Sequence, residues 1–302
     1  PGPSDAVVAR EDAYDGLRVV RLGFDPARAA NPLLEEYANP RVARFLEELW
    51  AAERPDLVHL THPGLLSTAP LAVAARMGIP AVATLTDMWA ICPVGTLLRH
   101  DGALCPGPED LGHCVRCLVT MGPRGRAYAP WARRVPRALW RALAAAGALP
   151  GPLARRAPYL GWVGALRART AAVRTRLLGA AALLSPGRYL PALLGRWGYP
   201  PGSVRALPHG IADPARLRRP APPAEGATLR YGYHGPLAPF KGAHLPVAAF
   251  RRLPAGTPAT LVYRGARPPE GAHDAYARGV LAAVEATPGA RHAGPYAPDE
   301  VG

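Results

Sequence analysis

Four cysteines, Cys92, Cys105, Cys114 and Cys117, are the only ones in a chain of 302 residues, and one stretch holds them all. Thiolates bind a tetrahedral, soft-to-borderline cation, and a Cys-x-x-Cys turn sets two of them on it, so the group reads as a four-thiolate zinc site. Only one such pair is present, and the other spacings are irregular, which leaves free or redox-paired thiols as the alternative. His100 and His113 lie within the same stretch as substitute ligands. No open coordination position is implied, so the metal would staple a loop and would not catalyse.

The cysteine stretch opens on Thr84 and carries Asp87, while His59 and His62 close an earlier apolar run. Asp87 and His62 are the candidates for positioning hydroxyl groups of a substrate, with structural hydrogen bonding as the plainer role for the histidine. Lys241 is the only lysine, in a chain whose formal charge of +14 otherwise comes from arginine. A compact ammonium and a guanidinium are not interchangeable, which sets this position apart from the rest of the basic surface.

The elements that must position these groups follow from periodicity. The spacing of Val42, Phe45, Leu46 and Leu49 predicts an amphipathic helix over 40–53. LVHLTH predicts a strand, Ser67 or Thr68 can cap a helix that runs to Met77 and stops at Gly78, and 79–85 reads as a strand buried on both faces of a parallel sheet. Strand, helix and strand at this spacing form a βαβ unit. A helix over 165–178, a strand over 180–185, a helix over 188–197 and a strand at 204–207 continue the series, while 17–22 could add an edge strand. Residues 216–227 (RLRRPAPPAEGA) read as a proline-stiffened linker. Beyond it a second series predicts strands at 229–234, 259–263 and 290–293, with helices over 242–253 and 272–286.

The expected fold class is therefore α/β, with two Rossmann-like domains facing a cleft. The expected domains are 1–215, with an irregular basic region at 118–164, the linker 216–227, and an incomplete second domain over 228–302. In the irregular region Trp131, Val135, Leu139, Trp140 and Leu143 recur at helical spacing among arginines. That pattern suits either an anionic membrane surface or a helix packed on the domain with its arginine stems over apolar area.

A hydrophobic content of 49% describes a globular chain, in which 32 glycines and 37 prolines punctuate apolar segments without forming tracts. No run reaches the length of a membrane span, and the start shows no signal-peptide pattern, so a cytoplasmic location is expected, with the inner membrane face as an option. The absence of an initial methionine, and an end just past a strand-like segment, suggest a piece of a longer protein. No nucleic-acid recognition motif or set of stacking aromatics accompanies the basic charge, so nucleic acid is not an expected partner.

The order of motifs carries a resemblance. TLTDMWAICP, then LLRHDGALC and CVRC, resembles the N-terminal domain of family 4 glycosyltransferases, retaining enzymes of the GT-B fold. DLVHLTHPGLL, AARMGIPAVATL, LLSPGRYLPALLGRWGYPPGSVRALPHGI and YGYHGPLAPFKGAHLPVAAFRRLP match in order, over about residues 40–300. The resemblance implies transfer of a sugar from a nucleotide-sugar donor to a glycan, lipid-linked or small-molecule acceptor, with retention and without a catalytic metal. It places Gly235, Lys241 and Gly242 in a donor-phosphate loop and His209 and Gly210 at a second donor-binding turn. Departures accompany it: Pro236 stands where an arginine is common, His209 and Ala212 replace an asparagine and an aspartate, and Thr86 replaces a histidine. The family's paired glutamates would lie beyond Gly302 and its glycine-rich loop before Pro1. A catalytically lapsed homologue, or a basic protein binding anionic lipid or nucleic acid, are the alternative functions.

Overall fold

The structure, a computed structural model, describes residues 7–25, 29, 31–108, 110–121, 135–146, 158–210, 224, 226–266 and 274–296. The chain divides into two compact units, Pro1–His209 and Gly210–Gly302. The first begins with an antiparallel hairpin of β1 (Val8–Tyr14) and β2 (Leu17–Gly23). Asp15 and Gly16 close it with φ of 50° and 75°. This is the two-residue turn whose twist matches the strands, and Asp-Gly is its sequence signal. The expected strand at 17–22 thus exists, but it pairs with β1 and stands apart from the parallel sheet.

That sheet consists of β3 (Val58–Leu60), β4 (Ala81–Thr84), β5 (Ala182–Ser185) and β6 (Val204–Ala206), all parallel and adjacent in chain order. Its strands join helices α1 (Pro32–Glu35), α2 (Pro40–Glu53), α3 (Ala69–Met77), α4 (Leu111–Met121), α5 (Arg137–Ala146), α6 (Pro158–Leu178) and α7 (Tyr189–Gly195). Asn39 caps α2, its Oδ1 accepting from the N–H groups of Arg41 and Val42 at 3.0 and 3.2 Å. Such a cap contributes about 1 kcal/mol. Of the two expected caps of α3, Thr68 stands at the N-cap without a side-chain bond to the helix, and the preceding Ser67 supplies the acceptor. Its Oγ accepts from Ala69 N at 3.1 Å and from Asn39 N at 2.9 Å, so one hydroxyl fastens the starts of two helices.

Strand β4 corrects an expectation. Ala81 and Ala83 are buried while Val82 and Thr84 are only half covered, so the strand alternates. The core gathers Val58, Leu60, Ala83, Leu183, Leu190, Leu194, Val173 and Leu177 between the sheet and α6 and α7. A second departure concerns Cys114 and Cys117: where sequence predicts a turn, the two lie on α4. Asp110 fixes the start of that helix by accepting from Gly112 N at 2.9 Å. Trp140 of α5 is buried with Cys114, Val115 and Leu166. Here Trp140 and Val135 pack within the unit while Leu139 is 50% exposed; Trp131 and much of 118–164 lie outside the described residues. No helix among the described residues is long and apolar enough to cross a membrane.

The second unit carries a parallel sheet of β7 (Leu229–His234), β8 (Ala259–Arg264) and β9 (Ala290–His292), with α8 (His244–Phe250) and α9 (Asp274–Glu285). Tyr263, fully buried, donates from its hydroxyl to Ala243 O at 2.7 Å and accepts from Val247 N at 2.9 Å, which fixes α8 on β8. Of the expected linker only residues 224, 226 and 227 are described.

One buried ion pair holds the first unit together across long sequence separation. Arg169 of α6 is 1% exposed and grips the Glu36 carboxylate through Nε at 2.7 Å and one terminal nitrogen at 3.1 Å. The same terminal nitrogen donates to Trp89 O at 2.7 Å, and the guanidinium lies 4.4 Å from the centre of the Trp89 ring. Removing one partner of a buried pair costs about 3–5 kcal/mol. Arg169→Met is expected to lose about 3 kcal/mol, at the lower end because Glu36 can reach water. The measurement is the urea midpoint at constant slope; an unchanged midpoint would remove Arg169 from its fastening role.

Candidate functional site

The carboxyl-terminal ends of parallel strands are where backbone stops pairing and side chains become available to ligands. His62 lies two residues past β3 and Asp87 three past β4, so adjacent parallel strands deliver them to the same edge. They meet: His62 Nε2 is 2.9 Å from Asp87 Oδ2. The geometry fixes the tautomer. Gly64 N–H donates to His62 Nδ1 at 2.9 Å, so that nitrogen is the acceptor and the proton sits on Nε2, which donates to Asp87. A side chain at residue 64 would begin 2.7 Å from the imidazole, so a glycine is needed for this approach.

Asp87 receives a second donor. Its Oδ1 accepts from Trp89 N at 2.8 Å and caps the 310 turn Met88–Ala90, whose Trp89 is the residue clamped by Arg169. The carboxylate is therefore oriented from both oxygens, yet both partners of the His62–Asp87 pair stay about two-fifths exposed. It can accept a hydrogen bond from an incoming hydroxyl. With Nδ1 occupied, His62 is a positioning group and is not set up to take a proton. His59, which sequence groups with His62, instead pairs with Thr84 across the β3–β4 boundary at 2.8 Å. Local spacing does not show that contact, because it depends on strand pairing. A cavity of about 300 Å3 lined by Leu71, Ile79, Pro80, Ala81, Gly179 and Ala180 lies by the beginnings of β4 and β5 and carries none of these polar groups. The candidate site is therefore the polar edge.

The cysteines follow directly. Cys92 ends the 310 turn segment, its N–H bonded to Met88 O at 2.8 Å. A short hairpin, with Leu98 bridged to Leu104, leads to Cys105, whose thiol is near Gly107 O at 3.3 Å. Cys114 and Cys117 sit on α4, and Cys117 Sγ is 3.9 Å from His100 Nδ1. Cys92, Cys114 and Cys117 are buried, and no disulfide joins any of the four. Burial, reinforced by the charges of Cys92, Cys105 and Cys117, pushes the Cys114 thiol up to about 12. Burial also raises Cys117 and lowers His100, the latter helped by Arg116. Among the described residues, no three His, Cys, Asp or Glu side chains stand as a closed metal-holding set.

In the second unit the segment after β7 is tied to the end of β8. Gly235 N donates to Arg264 O at 3.1 Å, and Leu237, fully buried, donates from its N–H to Ala266 O at 3.3 Å. Gly235 has φ of 142°, and a Cβ on Gly265 would collide with Gly235 O, so both positions exclude side chains. The Tyr233 hydroxyl donates to Pro236 O at 2.9 Å. Lys241 ends the 310 turn Pro239–Lys241, exposed, with Nζ 5.8 Å from the centre of the Phe240 ring, and Gly242 follows in the left-handed region. The lysine thus sits on a braced loop beside the carboxyl end of a parallel strand. His209 and Gly210 are exposed past β6.

No protein-family model and no curated protein matches the chain. Among solved structures it resembles a UDP co-structure of MnaA from S. aureus, at 12% identity and a TM-score of 0.35. It also resembles a putative UDP-N-acetylglucosamine 2-epimerase from Listeria monocytogenes, at 12% identity and a TM-score of 0.36. Each match covers 91% of this chain, and the chain spans 54% of either structure. Likeness at this level carries no assignment of activity; the α/β class rests on the two parallel sheets described above.

The His62–Asp87 geometry is directly testable. Two-bond 1H–15N correlation spectra are expected to show the neutral His62 ring as the Nε2–H tautomer, with Asp87→Ala changing its ring signals. A ring protonated on Nδ1 would contradict the arrangement.

Proposed function

We propose that the chain belongs to a glycosyltransferase that moves a sugar from a nucleotide-sugar donor to a hydroxyl acceptor with retention. The observation that carries this reading is the His62–Asp87 pair, because it brings two of the resembling motifs to one edge of a parallel sheet. In this reading Asp87 accepts the hydrogen bond of the acceptor hydroxyl and aligns its oxygen for attack, and His62 and Trp89 N–H keep the carboxylate in place. Aligning a reactant in this way contributes through orientation.

The bond from sugar to diphosphate breaks as the acceptor oxygen bonds to the same carbon and face. The hydroxyl proton passes to the departing phosphate oxygen, so no protein nucleophile is needed. Charge growing on the diphosphate must be met by cations and N–H groups. Lys241 supplies the cation, carried on the loop that Leu237 and Gly235 anchor to β8.

A second reading, a homologue that binds donor without turnover, is favoured by Pro236, which puts a ring without charge or N–H in that loop. Of the arginines behind the basic binding-protein alternative, Arg141, Arg169 and Arg174 bond to Asp110, Glu36 and Trp197 O within the unit.

Calorimetry with a panel of UDP- and GDP-sugars, followed by turnover assays, tests the proposal. Lys241→Ala is expected to weaken donor binding about 10- to 100-fold, the equivalent of one charge-assisted hydrogen bond. Asp87→Ala is expected to lower kcat at least about tenfold while donor affinity holds. No binding of any donor, with no effect of Lys241→Ala, would sink the proposal; binding without turnover selects the second reading.

A further inference from the structure

We propose that Cys92, Cys105, Cys114 and Cys117 hold one zinc ion in an all-thiolate tetrahedral site that staples the Asp87 turn to α4. The inference goes beyond the proposed function and does not rest on it. A single buried cysteine needs no explanation, since free cysteine behaves as a small apolar residue. Four thiols gathered from separate pieces of backbone do need one. Cys92 comes from the end of the 310 turn, Cys105 from the leg of the Leu98–Leu104 hairpin, and the other two from α4. Spaced three apart on a helix, Cys114 and Cys117 share one face. Helix α6 packs against both α4 and the 310 turn that leads to Cys92, and His100, within the hairpin that leads to Cys105, has its Nδ1 3.9 Å from Cys117 Sγ, so the four lie in one neighbourhood.

Among the described residues, the segment between Cys92 and Asp110 forms no helix or strand. Leu98 and Leu104 pair in an isolated bridge, and Leu104 is 84% exposed. Irregular segments of this length are uncommon inside compact domains unless they serve a function, and a bound metal supplies order where apolar burial cannot. Charge is provided for as well. A zinc ion with four thiolates carries a net negative charge, and the buried guanidinium of Arg169 bonds to the 310 turn that leads to Cys92. One terminal nitrogen of Arg169 is buried without an acceptor among the described residues, the kind of donor a thiolate can satisfy.

Binding consumes one Zn2+ and releases one proton from each thiol, with no change of oxidation state. It requires side-chain movement, since the thiols are not a closed set as they stand, and brings each sulfur to about 2.3 Å from the ion. The consequence would reach the site: Cys92 lies five residues from Asp87, so the staple fixes the far side of the turn that Arg169 fixes from within.

The test uses the 302-residue chain, purified under reducing conditions without a histidine tag. Elemental analysis is expected to find about one zinc per chain, and exchange with cobalt is expected to give tetrahedral d–d bands with thiolate charge transfer. Cys105→Ser, the substitution at the one thiol that is not buried, is expected to fold and to lose stoichiometric zinc. The proposal is overturned if the folded wild-type chain contains no zinc and gives no cobalt spectrum on reconstitution. Disulfides among the four cysteines in intact-mass spectra of freshly purified protein would overturn it too. None of these readouts depends on sugar transfer, so this inference and the proposed function fail separately.

Discussion

The first unit depends on Arg169. Its guanidinium leaves α6, is buried, and joins Glu36 near the start of the unit to the backbone and ring of Trp89 in the middle. A buried charge is tolerated only where its hydrogen bonds are supplied, and a planar fork that reaches a carboxylate and a carbonyl at once supplies most of them. The cost of desolvating this side chain makes alternative packings of α6 unfavourable. The 310 turn bearing Asp87 is held by the same contact that orders the helix layer.

From that anchor the polar edge of the sheet follows by short steps. Trp89 N–H holds one oxygen of Asp87, His62 the other, and Gly64 N–H holds His62 from behind. Every member of this chain has a partner, yet His62 and Asp87 stay open to solvent, so the group is braced and reachable together. That combination is what an orienting carboxylate requires, and a loop tip without such bracing would not provide it. In the second unit the same purpose is met by backbone: two glycines allow the ends of β7 and β8 to close on each other, and Lys241 projects from the loop that results.

Much of the fold is legible in the residues. Helix α2 follows from its apolar stripe, α3 from its cap and terminal glycine, and the strands of both parallel sheets from short apolar runs between turn residues. The differences have physical causes. Of the hairpin, β2 reads as an edge strand, but β1 escapes a reading by periodicity because Arg10, Glu11 and Asp12 run together and all its residues are exposed, although Asp15-Gly16 announces the turn. Helix α4 escapes it because two cysteines three apart suggest a metal turn as readily as a helix face; its apolar side packs on Trp140 and Leu166.

For the site, the sequence by itself determined which groups were available: one carboxylate and a histidine after apolar strands, a single lysine in a glycine-bounded loop, and four thiols in one stretch. These follow from residue type and local spacing, which a linear chain displays in full. Tertiary structure alone decided that His62 faces Asp87 while His59 faces Thr84, because parallel pairing brings residues 25 apart into contact through the register of β3 on β4. It also decided that Arg169, one arginine among many in a basic stretch, is the buried one among the described residues. Nothing local distinguishes it; its partners Glu36 and Trp89 lie 133 and 80 residues away, and only folding brings them within hydrogen-bonding distance.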